Sequence, residues 1–423
     1  MIHRSRLVPA CITLAIVMVA CASSAADGGT QPSSSDQVAT VVAATLQALT
    51  PELVDTPSSV PEAPGSLLPH SLYFLGKDGQ AITQVYRIER DGRTVTQLTS
   101  ETVNVADFDV SLLDGSIVFA ANNQLLLTNA DGSNRRALVD GGAARNENNP
   151  AFFKDPLTNP VFSPDGQTIA YARYAGVHLY DLSTGVSSLV IESQYTDVML
   201  INGVEQALPI EIYTPGRYSP DGAKLLIRLH YTDSSSAAIY HPAQNELIRL
   251  TGEAAALECC DFTSVFEWSA DSSSIYVANP RPGVDGGGMW RVDDITGAVT
   301  TLVPYVGDNG MINHFDEPYL ASDGQLYFFF ASYSGDLGPL HRPPGELTLV
   351  RSAADGVMDH TVLSKENLRL MNEALWAPDA SLVVVAFAPS EEVYDGGQAA
   401  IVYLDGRPNV VLTPFARQMK WGP

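Results

Sequence analysis

Two adjacent cysteines, Cys259 and Cys260, are the residues of this sequence best placed for covalent chemistry. In an oxidising compartment, neighbouring cysteines are able to close a strained eight-membered disulfide ring, which forms a rigid apolar platform. Two unbridged thiols are the alternative. A metal pair would need third and fourth ligands at a recognisable spacing, and the sequence offers none. The pair therefore predicts either a vicinal disulfide or two free thiols.

A second set of residues recurs near the ends of short apolar runs. The residue before the last position of each run is in turn Asp109, Val161, Arg217, Glu267, Leu320, Leu375 and Lys420, and polar residues two places earlier are Asp107, Asn159 and Glu373. Such charges are able to line a channel that holds a polar ligand or an ion. Alternatively, they form ion pairs and hydrogen bonds that only join neighbouring strands. His314, Asp316 and Glu317 form one further cluster, a candidate metal or acid–base site.

No catalytic motif is recognisable in the sequence. There is no Gly-x-Ser-x-Gly nucleophile elbow, and no glycine-rich phosphate loop joins a strand to a helix. The histidines are scattered singly, and a lone histidine on a strand is more often structural than a ligand. We therefore predict no catalytic residue, no cofactor and no bound metal.

The candidate channel residues belong to a repeat of about fifty residues, a period typical of propellers and solenoids. Its clearest copy is Phe162-Ser163-Pro164-Asp165-Gly166, and related copies follow at 218–222, 268–271, 321–324 and 376–379. Each copy reads as a strand, a tight turn and a second apolar strand, and the first strand ends in an aromatic residue in every copy except that at 321–324. Two further strands complete each unit, so the repeat predicts four-stranded antiparallel blades of an all-β propeller.

The Ser-Pro-Asp-Gly turn and the later Tyr180-Asp181-Leu182-Ser183-Thr184-Gly185 turn resemble the TolB-type, WD40-like propeller repeat. The resemblance covers roughly residues 68–423. It implies the fold but says little about function, because related blades occur in translocation proteins, peptidases and uncharacterised lipoproteins.

Six inner strands precede the turns, near 107–111, 159–163, 216–219, 265–269, 318–322 and 373–377. The segment 417–421 resembles a further inner strand without a blade after it, and the strands at 71–99 lack an inner strand before them. Pairing the two predicts a seventh blade that closes the ring and hides the open edges. Six blades is the alternative, if the weak unit at 105–141 is misread.

Loop length varies on one side of this fold only. The long connections fall between second and third strands and between blades, at 141–158, 193–215, 253–263, 279–288, 305–316, 331–345 and 389–397. Functional residues concentrate in such loops, although long loops are also tolerated at little cost in free energy. We predict that this long-loop face, which carries Cys259 and Cys260, is a binding face.

The first residues predict export. A basic start is followed by an apolar stretch of 14 residues that ends Met18-Val19-Ala20-Cys21, which suits a signal peptide. This resembles the bacterial lipobox, and the resemblance implies a lipid on Cys21. An ordinary secretory signal is the alternative. We predict a signal peptide at 1–20, a Ser/Ala/Thr/Pro-rich tether at 21–66 and a propeller at 67–423, held by its lipid at the periplasmic or cell-surface side of a membrane.

The net charge of −24 disfavours a phosphate backbone, so we expect no nucleic acid partner. The leading hypothesis is a monomeric module of the cell envelope that binds a protein or glycan through its long-loop face. The alternative is a single-domain propeller enzyme that acts on a sugar or lactone at the channel mouth.

Overall fold

The computed structural model of the protein describes residues 66–142, 156–173, 175–197, 199–201, 204–231, 234–252, 258–259, 265–279, 288–335, 342–364 and 366–423. Over these residues the chain is all-β, as the repeat predicted, and its strands form antiparallel sheets. Within the same ranges, no helix has the length and apolarity needed to cross a bilayer.

The first part of the described chain forms three strand groups, each in sequential order. The first group is β1 (Leu72–Lys77), β2 (Thr83–Ile88) and β3 (Val95–Gln97). A four-stranded sheet follows, with β4 (Asp107–Val110), β5 (Ile117–Ala121), β6 (Gln124–Thr128) and β7 (Arg136–Asp140). The next sheet contains β8 (Thr158–Phe162), β9 (Thr168–Arg173), β10 (Gly176–Asp181) and β11 (Val186–Glu192).

The middle of the chain departs most from regular blades. Its main sheet is built from β15 (Pro209–Tyr218), β16 (Leu225–His230), β17 (Ser234–His241) and β18 (Glu246–Arg249). Two short strands extend it, namely β12 (Gln194–Tyr195) beside β15 and β19 (Glu258–Cys259) beside β17. A separate hairpin pairs β13 (Met199–Ile201) with β14 (Val204–Gln206).

The last part of the chain returns to four-strand units. They are β20 (Val265–Trp268), β21 (Ser274–Ala278), β22 (Gly288–Asp293) and β23 (Val299–Pro304); then β24 (Ile312–Leu320), β25 (Gln325–Tyr333), β26 (Thr348–Ala353) and β27 (Thr361–Val362); and finally β28 (Met371–Trp376), β29 (Leu382–Phe387), β30 (Gly397–Tyr403) and β31 (Val410–Trp421).

The 12-residue strand β31 belongs to two neighbouring groups of strands. Its first half pairs with β30, with Val410 opposite Ile401. Its second half pairs with β1, with Lys420 opposite Tyr73 and Trp421 opposite Leu72. The last strand of the chain is therefore hydrogen-bonded to the first strand of the described residues.

The tight turns form for the reasons that the repeat suggested. In the turn after β15, the Ser219 Oγ donates to the Asp221 Oδ1 at 2.5 Å and accepts from the backbone N–H of Lys224 at 3.0 Å. Gly222 closes the turn at φ 72°, in the left-handed region that glycine adopts without strain. Ser163 and Asp165 form the same bonds after β8. This geometry turns each inner strand directly into its neighbour.

The core lies between neighbouring sheets. The second strand of each unit is apolar on both faces, as in β5, which is buried throughout, and β29, which is buried over its first five residues. Such continuous apolar runs are expected where a strand is covered on both sides. The outer strands are open to solvent, as Val186 in β11 illustrates with 56% exposure. These buried second strands pair directly with the inner strands, as β5 does with β4 and β29 with β28.

Two inner strands begin earlier than predicted. β15 starts at Pro209 rather than near 216, and the predicted loop at 193–215 contains β12, β13 and β14 as well. β24 starts at Ile312 rather than near 318, and it ends at Leu320. In both strands the register shifts just before the end, between Pro215 and Tyr218 and between Asp316 and Tyr319. Such bulges break the alternation of side chains by which a strand is recognised in a sequence.

Candidate functional site

A cavity of about 490 Å³ lies where the inner strands end. We define the inner strands as β4, β8, β15, β20, β24, β28 and β31, and each of them contributes residues to the lining. The lining also includes Pro164, Pro220, Ala270 and Pro378, which belong to the tight turns that follow inner strands. We call this cavity the mouth cavity and this side of the fold the short-turn face. It is the face opposite the predicted long-loop face.

One residue of each inner strand forms a ring around the mouth cavity. It is the residue before the strand's last position, and the ring in chain order is Asp109, Val161, Arg217, Glu267, Tyr319, Leu375 and Lys420. Tyr319 takes the place that the sequence analysis gave to Leu320. That assignment was one residue too late, because Ala321 and not Ser322 holds the first position of the turn after β24. The Ala321 carbonyl accepts from the N–H of Gly324, as the Ser163 carbonyl accepts from that of Gly166 in the turn after β8. Leu320 instead packs beside the buried cluster that contains Phe315 and Phe328.

The four charged residues of the ring form two ion pairs between neighbouring inner strands. The Lys420 Nζ lies 3.1 Å from the Asp109 Oδ1, and the Arg217 Nη1 lies 2.5 Å from the Glu267 Oε1. Asp109 also accepts from the backbone N–H of Phe162 at 2.7 Å, which fixes its carboxylate. The Arg217 side chain is 53% exposed. The ring of residues therefore carries two positive and two negative charges, and it offers both hydrogen-bond donors and acceptors.

Among the seven residues around the mouth cavity, Tyr319 supplies an aromatic surface. Its phenol ring stacks on the indole of Trp376, with centroids 6.0 Å apart and planes tilted by 13°. Its hydroxyl donates to the carbonyl of Pro378 at 2.9 Å. Burial, and next the negative charge of Glu267, raise the pKa of Tyr319 to about 12, so the hydroxyl remains a donor at neutral pH. These contacts hold the aromatic ring in one orientation.

Three indoles join neighbouring inner strands at this level. The Nε1–H of Trp421 donates to the Trp376 carbonyl at 2.7 Å, that of Trp376 donates to the Glu317 carbonyl at 2.9 Å, and that of Trp268 donates to the Arg217 carbonyl at 3.1 Å. A buried indole N–H usually finds such a partner. Each bond crosses from one inner strand to the next, so these indoles tie neighbouring parts of the cavity wall together.

The rim of the mouth cavity is apolar. Leu112 lines it and is 55% exposed, and Pro423 lines it from the chain's C-terminal end. His70 also lines it, with its ring centroid 6.4 Å from that of Trp421. Burial, followed by the charge of Arg90, lowers the pKa of His70, so its imidazole is neutral at pH 7.

The polar residues placed further back on the inner strands join strands to each other. Asp107 accepts from the Gln418 Nε2 at 3.0 Å and from the backbone N–H of Asn159 at 3.3 Å. Glu317 accepts from the N–H of Ala374 at 3.2 Å, and Glu373 accepts from that of Met419. In the structure, these residues therefore bond to neighbouring inner strands, which is the arrangement expected if they join strands to each other.

Burial perturbs two of these carboxyl groups. It raises the pKa of Glu373 to about 7. It also raises the pKa of Glu317 well above the usual range, and the neighbouring charge of Asp316 adds to that effect. Glu317 lies in a bulge at φ 47°, and Asn159 and Gln418 occupy the equivalent bulges of β8 and β31 at φ 53° and φ 50°. Bulges change the direction of side chains, and here Glu317 and Gln418 bond to neighbouring inner strands at Ala374 and Asp107.

The cluster of His314, Asp316 and Glu317 is buried within β24, with all three residues at most 9% exposed. Burial lowers the pKa of His314 to about 4, so its ring is neutral at physiological pH. Among the described residues, no group of three or more histidine, cysteine, aspartate or glutamate side chains could hold a metal ion.

The cysteine predictions fall outside what the structure describes. Cys259 ends β19, whose backbone pairs with Ser234 of β17. Its side chain, Cys260 and Cys21 lie outside the described residues, as do residues 1–65, so the disulfide, the lipid anchor, the signal peptide and the tether stay predictions.

Of the ten predicted channel residues, the mouth cavity brings together Asp109, Arg217, Glu267 and Lys420. The aromatic residues of the cavity were not predicted as site residues. Trp376 and Trp421 served only as markers of strand ends, and placing the aromatic positions of the repeat around one ring would have found them. Tyr319 lies one residue before that position, and the repeat gave no signal for it.

No known protein family and no curated protein matches the sequence. Among solved structures, the chain is similar to TolB from Acinetobacter baumannii, with a TM-score of 0.41, 15% identity and coverage of 83% of this chain and 82% of that one. It is similar to an oligogalacturonate lyase from Vibrio parahaemolyticus, with a TM-score of 0.49, 11% identity and coverage of 82% and 86%. It also resembles a prolyl endopeptidase, with a TM-score of 0.49 and 13% identity, over 84% of this chain but half of that protein's length.

Proposed function

We propose that this protein is a binding module of the bacterial cell envelope, whose propeller takes a protein or a glycan at the mouth cavity. In this proposal a lipid on Cys21 and the tether at 21–66 hold the propeller at a membrane. The module acts without chemistry of its own, and the alternative of an enzyme acting on a sugar or lactone is an outcome of the tests below.

We infer seven blades for this propeller. The inference is supported by the inner strands, because each of the seven contributes to one cavity. It is also supported by β31, which pairs with both β30 and β1 and so completes the blade that begins with β1. In a closed ring, no strand edge is left open beside β1, and closure of this kind removes sites of aggregation.

The mouth cavity is the observation that carries the proposed function. Its volume of about 490 Å³ falls in the range of roughly 300–1,000 Å³ that is typical of ligand sites. Such sites combine apolar and aromatic walls with a few placed polar groups. Here the phenol ring of Tyr319 and the apolar rim supply the apolar and aromatic walls, and the two ion pairs supply the placed polar groups.

The long-loop face stays a second candidate for binding. Arg342 fixes part of it, because its guanidinium donates to the carbonyls of Arg369, Met371 and Val393 at 3.1, 2.8 and 2.7 Å. The same guanidinium lies over the ring of Tyr394, 5.1 Å from its centroid. Much of this face lies outside the described residues, so the choice between the two faces is left to experiment.

Capture from envelope extracts tests the proposed function. The full-length protein is compared with Tyr319→Ala, which changes the mouth cavity, and with Tyr394→Ala, a matched change on the long-loop face. The proposal expects that Tyr319→Ala loses the captured protein or glycan and that Tyr394→Ala retains it.

The reverse result, or capture that neither variant changes, would overturn the assignment to the mouth cavity. Turnover of a sugar or lactone that Tyr319→Ala abolishes would replace the binding module with the enzyme.

A further inference from the structure

The charged side chains of the ring around the mouth cavity are balanced. Lys420 is paired with Asp109, and Arg217 is paired with Glu267, so the two cations and the two carboxylates cancel. A ligand with a net charge would leave one member of a pair uncompensated in a partly enclosed site, which costs free energy. The cavity therefore favours a ligand that is neutral overall.

The same residues keep unused hydrogen-bonding capacity. An ionised carboxylate accepts about four hydrogen bonds and a guanidinium donates five, more than one ion pair consumes. Arg217 is half exposed where it lines the cavity, and Lys420 is 28% exposed. A hydroxyl both donates and accepts, so several hydroxyls on one ligand are able to bind to both pairs without breaking either.

Tyr319 adds a flat apolar surface beside these groups. One face of its ring is covered by Trp376, and its hydroxyl is held by Pro378. The ring is half-buried in the cavity wall and lines the cavity. Because its position is already fixed, little side-chain freedom is lost when a ligand packs against it.

We propose that the mouth cavity binds a neutral saccharide, with Tyr319 as its stacking surface and the two ion pairs as hydrogen-bonding partners of its hydroxyl groups. A sugar ring combines a neutral set of hydroxyls with an apolar C–H face, which is the combination that the cavity offers. The inference rests on the proposed function, since it names the ligand class of the same cavity. A peptide segment packed on the apolar rim is the competing ligand, and the test includes it.

The test measures binding to the full-length protein by calorimetry in a detergent without a sugar headgroup. The probes are a panel of neutral oligosaccharides that includes maltotriose, cellotriose and chitotriose, the acidic trisaccharide trigalacturonate, and an uncharged leucine-rich peptide. We expect a neutral saccharide to bind. Tyr319→Ala should weaken its Kd roughly tenfold, whereas Tyr319→Phe should change it less than about threefold. Tyr394→Ala should leave it unchanged.

Glu267→Gln gives a readout that a loss of structure would not produce. It leaves Arg217 without its carboxylate partner, so the ring becomes positive by one charge. We expect this variant to bind the neutral saccharide more weakly and trigalacturonate more tightly than the unchanged protein does.

Failure of every neutral saccharide to bind overturns the inference. If trigalacturonate or the peptide then binds to the unchanged protein in a way that depends on Tyr319, the ligand class is wrong and the proposed binding site stands. If no probe binds and capture from extracts is also independent of Tyr319, the proposed function is wrong as well.

Discussion

Ionisation of Glu373 should make the stability of the protein depend on pH. Its pKa of about 7 in the folded chain lies above its ordinary value of 4.5, and burial is the main cause. A carboxyl group with a raised pKa stabilises the fold fully below pH 4.5, and this contribution is lost as the pH rises through 7. The contribution of Glu373 to the free energy of unfolding should therefore fall as the pH rises from about 4.5 to about 7.

Glu373→Gln should remove this dependence, because the amide oxygen still accepts from the N–H of Met419 but cannot ionise. At pH 8 the variant should be more stable by about 3 kcal/mol, whereas at pH 4.5 the two proteins should unfold alike. Urea denaturation at both pH values measures the difference. Glu373→Leu serves as the control, since it removes the acceptor and should destabilise the protein at both. An equal pH slope for the glutamine variant and the unchanged protein would contradict this assignment.

The tight turns determine how each inner strand meets its neighbour, so they act at the scale of the element. Ser219 is fully buried, and its hydroxyl bonds to both Asp221 and Lys224. Ser219→Ala should lower the free energy of unfolding by about 1–2 kcal/mol. Ser273 bonds to Asp271 in an exposed turn, so Ser273→Ala should cost less than about 0.5 kcal/mol. Thermal unfolding of both variants tests this, and equal losses would show that the buried turn has no special role.

At this scale, the strands and turns could be predicted from sequence more readily than the bulges. Pro164-Asp165-Gly166 and the apolar strand after it indicate their structure locally. The start of β24 at Ile312 could not be found in this way, because the left-handed residue Glu317 interrupts the alternation of buried and exposed side chains. Tyr319 rather than Leu320 lies in the ring for another reason: Ala321 holds the first turn position that Ser163 and Ser219 hold in their repeats, and this difference in residue type hid the correct alignment.

At the scale of the whole molecule, loop length predicted a binding site on the long-loop face, whereas the mouth cavity lies on the short-turn face. The short turns are uniform because they close tight hairpins, and that uniformity concealed the fact that all inner strands converge beside them. The pairing of β31 with β1 followed from a single tryptophan, Trp421, at the position that Trp268 and Trp376 occupy in their repeats. Long-range convergence of this kind is set by packing between sheets, which no local pattern records.

The proposed closure of the ring predicts that the last residues are essential to the whole fold. Removal of residues 417–423 would take away Lys420 and Trp421 and leave β1 with an open edge. We expect this truncated chain to unfold without cooperativity or to aggregate.

Trp421→Phe is the milder variant of the same test, because it keeps an aromatic side chain but loses the hydrogen bond to the Trp376 carbonyl. It should unfold cooperatively with a loss of about 1 kcal/mol. Calorimetric unfolding compares the two, and a truncated chain as stable as the unchanged protein would exclude closure by β31.

We propose that ligands bind at the mouth cavity on the short-turn face. Hydrogen exchange of the backbone amides, measured with and without a captured ligand, tests this proposal. We expect slower exchange at the ends of the inner strands and in their turns, around Arg217, Tyr319 and Lys420, with no change in the long-loop segments at 193–215 and 331–345. Protection confined to those loops, with unchanged exchange around the ring, would contradict it.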